Sequence, residues 1–325
     1  MTFTGRGLFA ASSKEPGRRH LGWLLIGAFV AVAALVVGGL SAVGGISTSQ
    51  TAQEESFGDA DEVVVDNRTS GDVRVTGTSG DAVTVERTVR DTLMSSAHEQ
   101  VGMDGASTVN VDAGCDGIAF FGGCQVDYRI GVPEGTAVQA DAHSGEVRVN
   151  AVTGEVAVST SSGEVRANRV EGDLTVDTTS GGMRLEEIDG DMDLEATSGS
   201  IWASGSGGSI QVDATSGSIQ LMPDDATDVE ASASSGSINV HGSFATLDTN
   251  ASSGSVDIDA AEPFQRITAE ASSGSLAMRV PDTEYAVTAD SSSGSRDIDV
   301  TKNDNAEAEI DAKTSSGSIE ITPRG

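Results

Sequence analysis

Glycine recurs every nine residues, without a slip, at Gly145, Gly154, Gly163, Gly172, Gly181, Gly190, Gly199, Gly208 and Gly217. The units between them share one pattern, as in GEVRVNAVT from Gly145, GDLTVDTTS from Gly172 and GSIQVDATS from Gly208. The third position is aliphatic (Val147, Val156, Val165, Leu174, Met183, Met192, Ile201, Ile210), and so is the fifth (Val149, Val158, Ala167, Val176, Leu185, Leu194, Ala203, Val212). The second, fourth and sixth positions are mostly Glu, Asp, Ser, Arg, Thr or Gln. Alternation with period two, broken by a glycine, describes one half-buried strand followed by a bend.

Two kinds of bend alternate. One is preceded by Ser or Thr (Ser162, Ser180, Ser198, Ser216); the other follows an aliphatic residue (Val152, Val170, Ile188). Two corners of different type give a coil of 18 residues with two strands, and such coils stack as a parallel β-solenoid. Beyond Gly217 the motif S-S-G-S continues at Gly236, Gly254, Gly274, Gly294 and Gly317, spaced 18 to 23 residues apart. The extra residues (223–226, 262–264, 281–284, 302–307) gather at the corner opposite, where insertion leaves the stacked strands in register. From Gly145 onward the pattern predicts about ten coils and a rod of roughly 48 Å. Right-handed coiling is expected, as for other β-crossover-β connections.

Ahead of this array, residues 61–143 predict irregular first coils that close the end of the core, a task terminal repeats must perform. Gly71–Ser79 is already one unit, and Asp81–Arg90 and Gln125–Ile130 read as strands. Cys115 and Cys124 flank DGIAFFGG. On an oxidising side of a membrane they are expected to close a disulfide, with free buried thiols and metal or redox chemistry as the alternatives. Phe120 and Phe121 inside that loop read as a plug over the open core or as an exposed contact.

Leu21–Ile46 contains no charged residue, and a helix of that length would rise about 39 Å, enough to cross a bilayer core of about 30 Å. Arg6, Lys14, Arg18 and Arg19 precede it and acids follow it. The sequence therefore predicts a cytoplasmic tail (1–20), a single transmembrane anchor (21–46), a polar linker (47–60) and an exported domain, its lipid partner being the bilayer. A cleaved signal peptide is the competing reading; the run is long for one and lacks an A-x-A site.

The chain has 325 residues and a formal net charge of −31. Removing residues 1–46, with one acid and four bases, leaves −34. That charge excludes nucleic acid as a partner, because phosphate binding needs a basic footprint. Acids at Asp224-Asp225, Asp189/Asp191/Asp193 and Asp257/Asp259 can collect divalent cations loosely, but the corners lack the Asp of the calcium-binding G-G-x-G-x-D-x-U-x array. A calcium-binding repeat protein and a polysaccharide-cleaving β-helix enzyme are the alternative functions. The acids fall at outward, repeating positions, and His98, His143 and His241 accompany no G-x-S-x-G elbow, so no catalytic, cofactor or metal residue is assigned and no enzyme is expected.

The run Tyr128-Arg129-Ile130-Gly131-Val132-Pro133-Glu134-Gly135-Thr136, then Ser144-Gly145-Glu146-Val147 and the recurring S-S-G-S, resembles the putative-adhesin β-strand-repeat family of bacterial envelope proteins over residues 62–325. The resemblance implies a membrane-anchored or exported, surface-exposed solenoid, adhesin-like, and identifies no ligand; the expected role in the cell envelope is binding or structural, with an envelope or surface protein or glycan as the partner. Its motifs are turn signals, so no functional residue carries over.

Overall fold

A computed structural model describes residues 47–92, 95–105, 107–117 and 123–324. The tail and anchor expected at 1–46 and the Phe120–Phe121 plug lie outside those residues. The described chain is all β: two 14-stranded sheets face each other, and every coil contributes one strand to each.

In the regular section the second sheet takes β8 (Ala137–Ser144), β10 (Val156–Ser162), β12 (Leu174–Ser180), β14 (Met192–Ser198) and β16 (Ser209–Ser216). The first sheet takes β9 (Val147–Thr153), β11 (Val165–Glu171), β13 (Met183–Asp189), β15 (Ile201–Ser206) and β17 (Ile219–Asp224). Neighbours are parallel and in register, eighteen residues apart along Val156, Leu174, Met192 and Ile210. The step lengthens to nineteen from Ile210 to Val229 and to twenty from Leu247 to Ile267. Those later coils comprise β18 (Ala226–Ser235), β19 (Ile238–Gly242), β20 (Phe244–Ser253), β21 (Val256–Ala260), β22 (Arg266–Ser273) and β23 (Leu276–Val280).

The third and fifth positions of each unit point inward. Val165, Leu174, Leu185, Leu194, Ile201 and Ile219 are all at most 1% exposed and belong to one continuous core cluster. Nearest the S-S-G corner the inward side chain is small, as in Thr160, Thr178, Ala196, Ala214 and Ala233. The lengthened corners carry a core of their own: Phe244, Phe264 and Tyr285 form a column, with ring centroids 6.2 and 5.4 Å apart.

At the corners, backbone meets backbone. Gly181 N–H donates to Ser198 O (3.0 Å), Gly199 N–H to Ser216 O (2.9 Å) and Gly217 N–H to Ser235 O (3.0 Å). A Cβ on Gly199 would stand 1.7 Å from the carbonyl oxygen of Gly181, and its φ is +147°. Glycine is required there both by contact and by conformation. The same carbonyl-to-glycine approach recurs at Gly163, Gly217, Gly236, Gly254, Gly274, Gly294 and Gly317. The alternate corners at Gly154, Gly172, Gly190 and Gly208 are looser, at 2.5–2.7 Å.

Two departures from the sequence reading concern the ends. Residues 47–60 were expected as a linker, but Ser47–Gly58 is a strand, β1, paired antiparallel with β4 (Ala82–Thr92) at the edge of the first sheet. The free edge of a sheet offers unpaired N–H and C=O groups, and this polar segment has the length to take them. Coils also do not stack in chain order at either end. The coil of β2 (Glu62–Asn67) and β3 (Val73–Gly77) lies between that of β8 and β9 and that of β6 (Thr108–Gly117) and β7 (Gln125–Val132). Beyond β7 lies β4, and beyond β6 lies β5 (Ser95–Asp104), both antiparallel. At the other end β27 (Glu309–Ser316) and β28 (Ile319–Pro323) insert between β22/β23 and the outermost β24 (Glu284–Ser293) and β25 (Arg296–Ile298). A two-residue β26 (Thr301–Lys302) borders β24.

Charge explains the order at the carboxyl-terminal end. The column Leu276, Ile319, Arg296 occupies one inward position of the first sheet. Ile319 is 0% exposed, whereas the Arg296 side chain is 51% exposed. A coil that places arginine inward avoids burying its charge only by lying outermost.

Candidate contact faces of the rod

Outward positions stack as regularly as inward ones. On the first sheet Arg129, Arg74, Arg148, Arg166 and Arg184 stand in adjacent strands in register. They are a third of the fifteen basic residues that follow residue 46. A parallel file of acids neutralises them. Arg74 pairs with Asp72 at 2.7 Å, Arg166 with Glu164 at 2.7 Å and Arg184 with Glu186 at 2.6 Å, while Glu146 bridges Arg148 and Arg166. These pairs are half exposed, so each contributes little to stability.

The second sheet presents the opposite sign. Asp112, Asp66, Asp141, Ser159, Asp177, Glu195 and Asp213 form one outward column. A groove of about 450 Å³ runs along it, lined by Asp177, Glu195, Asp213 and Asn250 among others. Burial, with Asp112 and Asp141 adding to it and Arg68 opposing, raises the pKa of Asp66. Burial and Glu270 do the same to Asp248 on β20. Like charges on adjacent strands of the ladder carry a standing repulsion.

The amino-terminal end is closed by charge and by side-chain amides. Arg87 lies opposite Tyr128 in the same inward column that Arg296 ends, with only the exposed Gln53 of the edge strand beyond it. Its side chain, 9% exposed, pairs with Glu55 on β1 at 2.8 Å and with Glu99 on β5, tying together both sheets and the added edge strand. Burial pushes the Tyr128 hydroxyl well above its ordinary pKa, and Glu99 adds to the shift. Asn67 is buried at the first corner, donating to Gly71 O (3.2 Å) and Val126 O (3.0 Å) and accepting from the Thr69 hydroxyl (2.7 Å). It knits the inserted coil to β7. Neither Arg87 nor Asn67 stands out in the sequence, since only the stacking makes their positions inward.

The expected site residues divide as follows. Cys115 and Cys124 form a disulfide with a Cα separation of 5.6 Å. Asp257 and Asp259 are drawn into an ion cluster with Arg279 (3.7 and 3.3 Å) and, for Asp259, Arg324 (3.2 Å). Asp191 accepts a hydrogen bond from Ser209 N–H at 2.6 Å. His98, His143 and His241 lie on β5, β8 and β19 and are not brought together. Among the described residues no group of three His, Cys, Asp or Glu side chains is arranged to hold a metal ion, and no helix is long and apolar enough to cross a membrane.

No curated protein matches the chain. Among solved structures, a putative adhesin from Parabacteroides distasonis is similar at 16% identity, covering 84% of this chain and 97% of its own, with a TM-score of 0.42. A putative lipid binding protein from the same organism shares 15% identity (86% and 98% covered, TM-score 0.34). A putative adhesin from Bacteroides fragilis shares 11% (86% and 98%, TM-score 0.33). Residues 132–244 and 240–322 match the model of one protein family, and with more than half of its length so covered the chain belongs to the Toastrack DUF4097 family.

Proposed function

We propose that the protein is an adhesin-like rod held at the cell membrane by residues 21–46, its sheets turned to envelope or surface partners outside. The observation that carries this reading is the registered outward columns on two 14-stranded sheets. At about 4.8 Å per strand they extend for roughly 60 Å, a surface suited to repeated, distributed contact. The place of β1 supports an orientation. The chain enters the rod along the amino-terminal edge of the first sheet, so that end faces the bilayer and the coil of β24 and β25 is distal. The role is one of binding and needs no catalytic step.

Full-length protein carrying a tag after residue 325, expressed in its native host, tests this. The tag is expected in the membrane fraction and removable by protease added to intact cells, and cells lacking the protein are expected to bind less to isolated envelope material. A tag that is soluble or protected, or binding that does not change, overturns the reading.

A further inference from the structure

The first sheet contains one dislocation. In β9, β11 and β13 an extra residue sits at positive φ, in register from coil to coil: Ala151 (53°), Arg169 (55°) and Glu187 (55°). Strand β15 lacks it. Leu185 pairs with Ala203 but Ile188 with Gly205, so Glu186 and Glu187 face Ser204 alone. From β15 to β17 the pairing is continuous again. Gly205 is an inward position that admits no side chain, since a Cβ there would stand 2.4 Å from Ile188 O and 2.8 Å from the buried Met192 side chain.

A groove of about 450 Å³ opens over this seam, lined by Arg169, Ser204, Ser206, Met222 and the acids Glu187, Asp189 and Asp224 among others. Met222 is one of two large hydrophobic side chains exposed among the described residues. Trp202 precedes Ser204 by one pleat on the same face, about 7 Å away. It is the aromatic ring that stands outward on a sheet among the described residues; Tyr128, Tyr285, Phe244 and Phe264 are buried, and Phe57 on the edge strand packs against the core. The Arg184 guanidinium covers one face of the Trp202 ring at 4.5 Å. Since Arg184 comes from β13, the other face turns toward β17, where Gln220 is in register with Trp202; the groove begins one pleat along the strand, at Ser204.

We propose that this seam is a binding site for a neutral oligosaccharide, one sugar lying on Trp202 and the next in the groove. The inference rests on the reading of the rod as a contact surface and names a partner class for it. An aromatic face takes the C–H side of a pyranose ring, and carboxylates and serine hydroxyls on a polar floor take its hydroxyls. Glu187, Asp189 and Asp224 enter no ion pair among the described residues and repel an anionic glycan.

Intrinsic tryptophan fluorescence and calorimetry on the full chain in detergent test the site, with tetrasaccharides of glucose, N-acetylglucosamine, mannose and galactose and a uronate tetrasaccharide as probes. At least one neutral probe is expected to bind and the uronate not to. Trp202→Ala should weaken binding by roughly tenfold or more, Trp202→Phe by less, and Asp224→Asn measurably. Gln139→Ala on the second sheet should change nothing, and the melting temperature of each variant shows that it remains folded. Failure of every neutral probe at millimolar concentration, preference for the uronate, or indifference to Trp202→Ala overturns the proposal. Envelope binding by cells is scored separately: if every neutral probe fails while envelope binding persists, the seam site falls and the adhesin-like reading stands.

Discussion

Single positions bear the tightest constraints where coil touches coil. Gly199 has a carbonyl oxygen 1.7 Å from where a Cβ would be, while Gly102 on β5 has nothing within 4 Å. Gly199→Ala should therefore cost about 1–3 kcal/mol from backbone conformation alone, with the collision added, and Gly102→Ala should be nearly neutral; urea unfolding of the pair measures the difference. Arg87 makes a different test. Removing it strands Glu99 and Glu55 at the closed end, so Arg87→Ala should destabilise by about 3 kcal/mol. The melting transition reads that loss, and an unchanged transition would show that the end is sealed otherwise.

Among the strands, the question is which coil neighbours which. Ala277 on β23 pairs with Glu320 on β28, and Glu320 pairs with Asp297 on β25. Cysteines at 277 and 320 are expected to cross-link spontaneously, because parallel neighbours about 4.8 Å apart fall within disulfide reach. Cysteines at 277 and 297 should not, with a whole coil between them. Mass spectrometry of the oxidised variants distinguishes the inserted order from a sequential one, in which the second pair would close. The reason for insertion is local and chemical: Ile310, Ala312, Ile319 and Ile321 are all at most 1% exposed, and the coil carrying Arg296 takes the end.

For the molecule as a whole, net charge sets the response to pH. Asp66 and Asp248 have raised pKa values, through burial first and then neighbouring carboxylates. A folded state that holds protons more tightly than the unfolded chain gains stability as pH falls through those raised values toward the unfolded value of about 3.9. Asp127 has the opposite sign. Burial raises its pKa, but hydrogen bonds from Gln125, the Asp72 amide and Arg90 outweigh that and lower it. Its contribution is present above about 3.9 and is lost as pH falls through its lowered value. The melting temperature should rise on mild acidification from pH 7 and fall below about pH 4. Circular dichroism melts from pH 8 to pH 3 check this, and a steady decline from neutrality would contradict it. Added salt at pH 7 should also stabilise, by screening the ladders.

The glycine period, the inward aliphatics and the two corner types were legible in the residues, because strand alternation and steric demand at a bend are local. They defined the solenoid, its two faces and the corner that accepts insertions. The ends were not legible in the same way. The same alternation lets β2 and β3 sit beside any coil, and only competition among all coils for the buried layers decides that Arg87 and Arg296 fall toward opposite ends of a column while Ile319 fills it. The polar segment Ser47–Gly58 likewise reads as a linker until a sheet edge needs pairing. The seam at Trp202 needs both: a one-residue difference between β13 and β15 that the sequence contains, and a stacked partner that turns it into a groove.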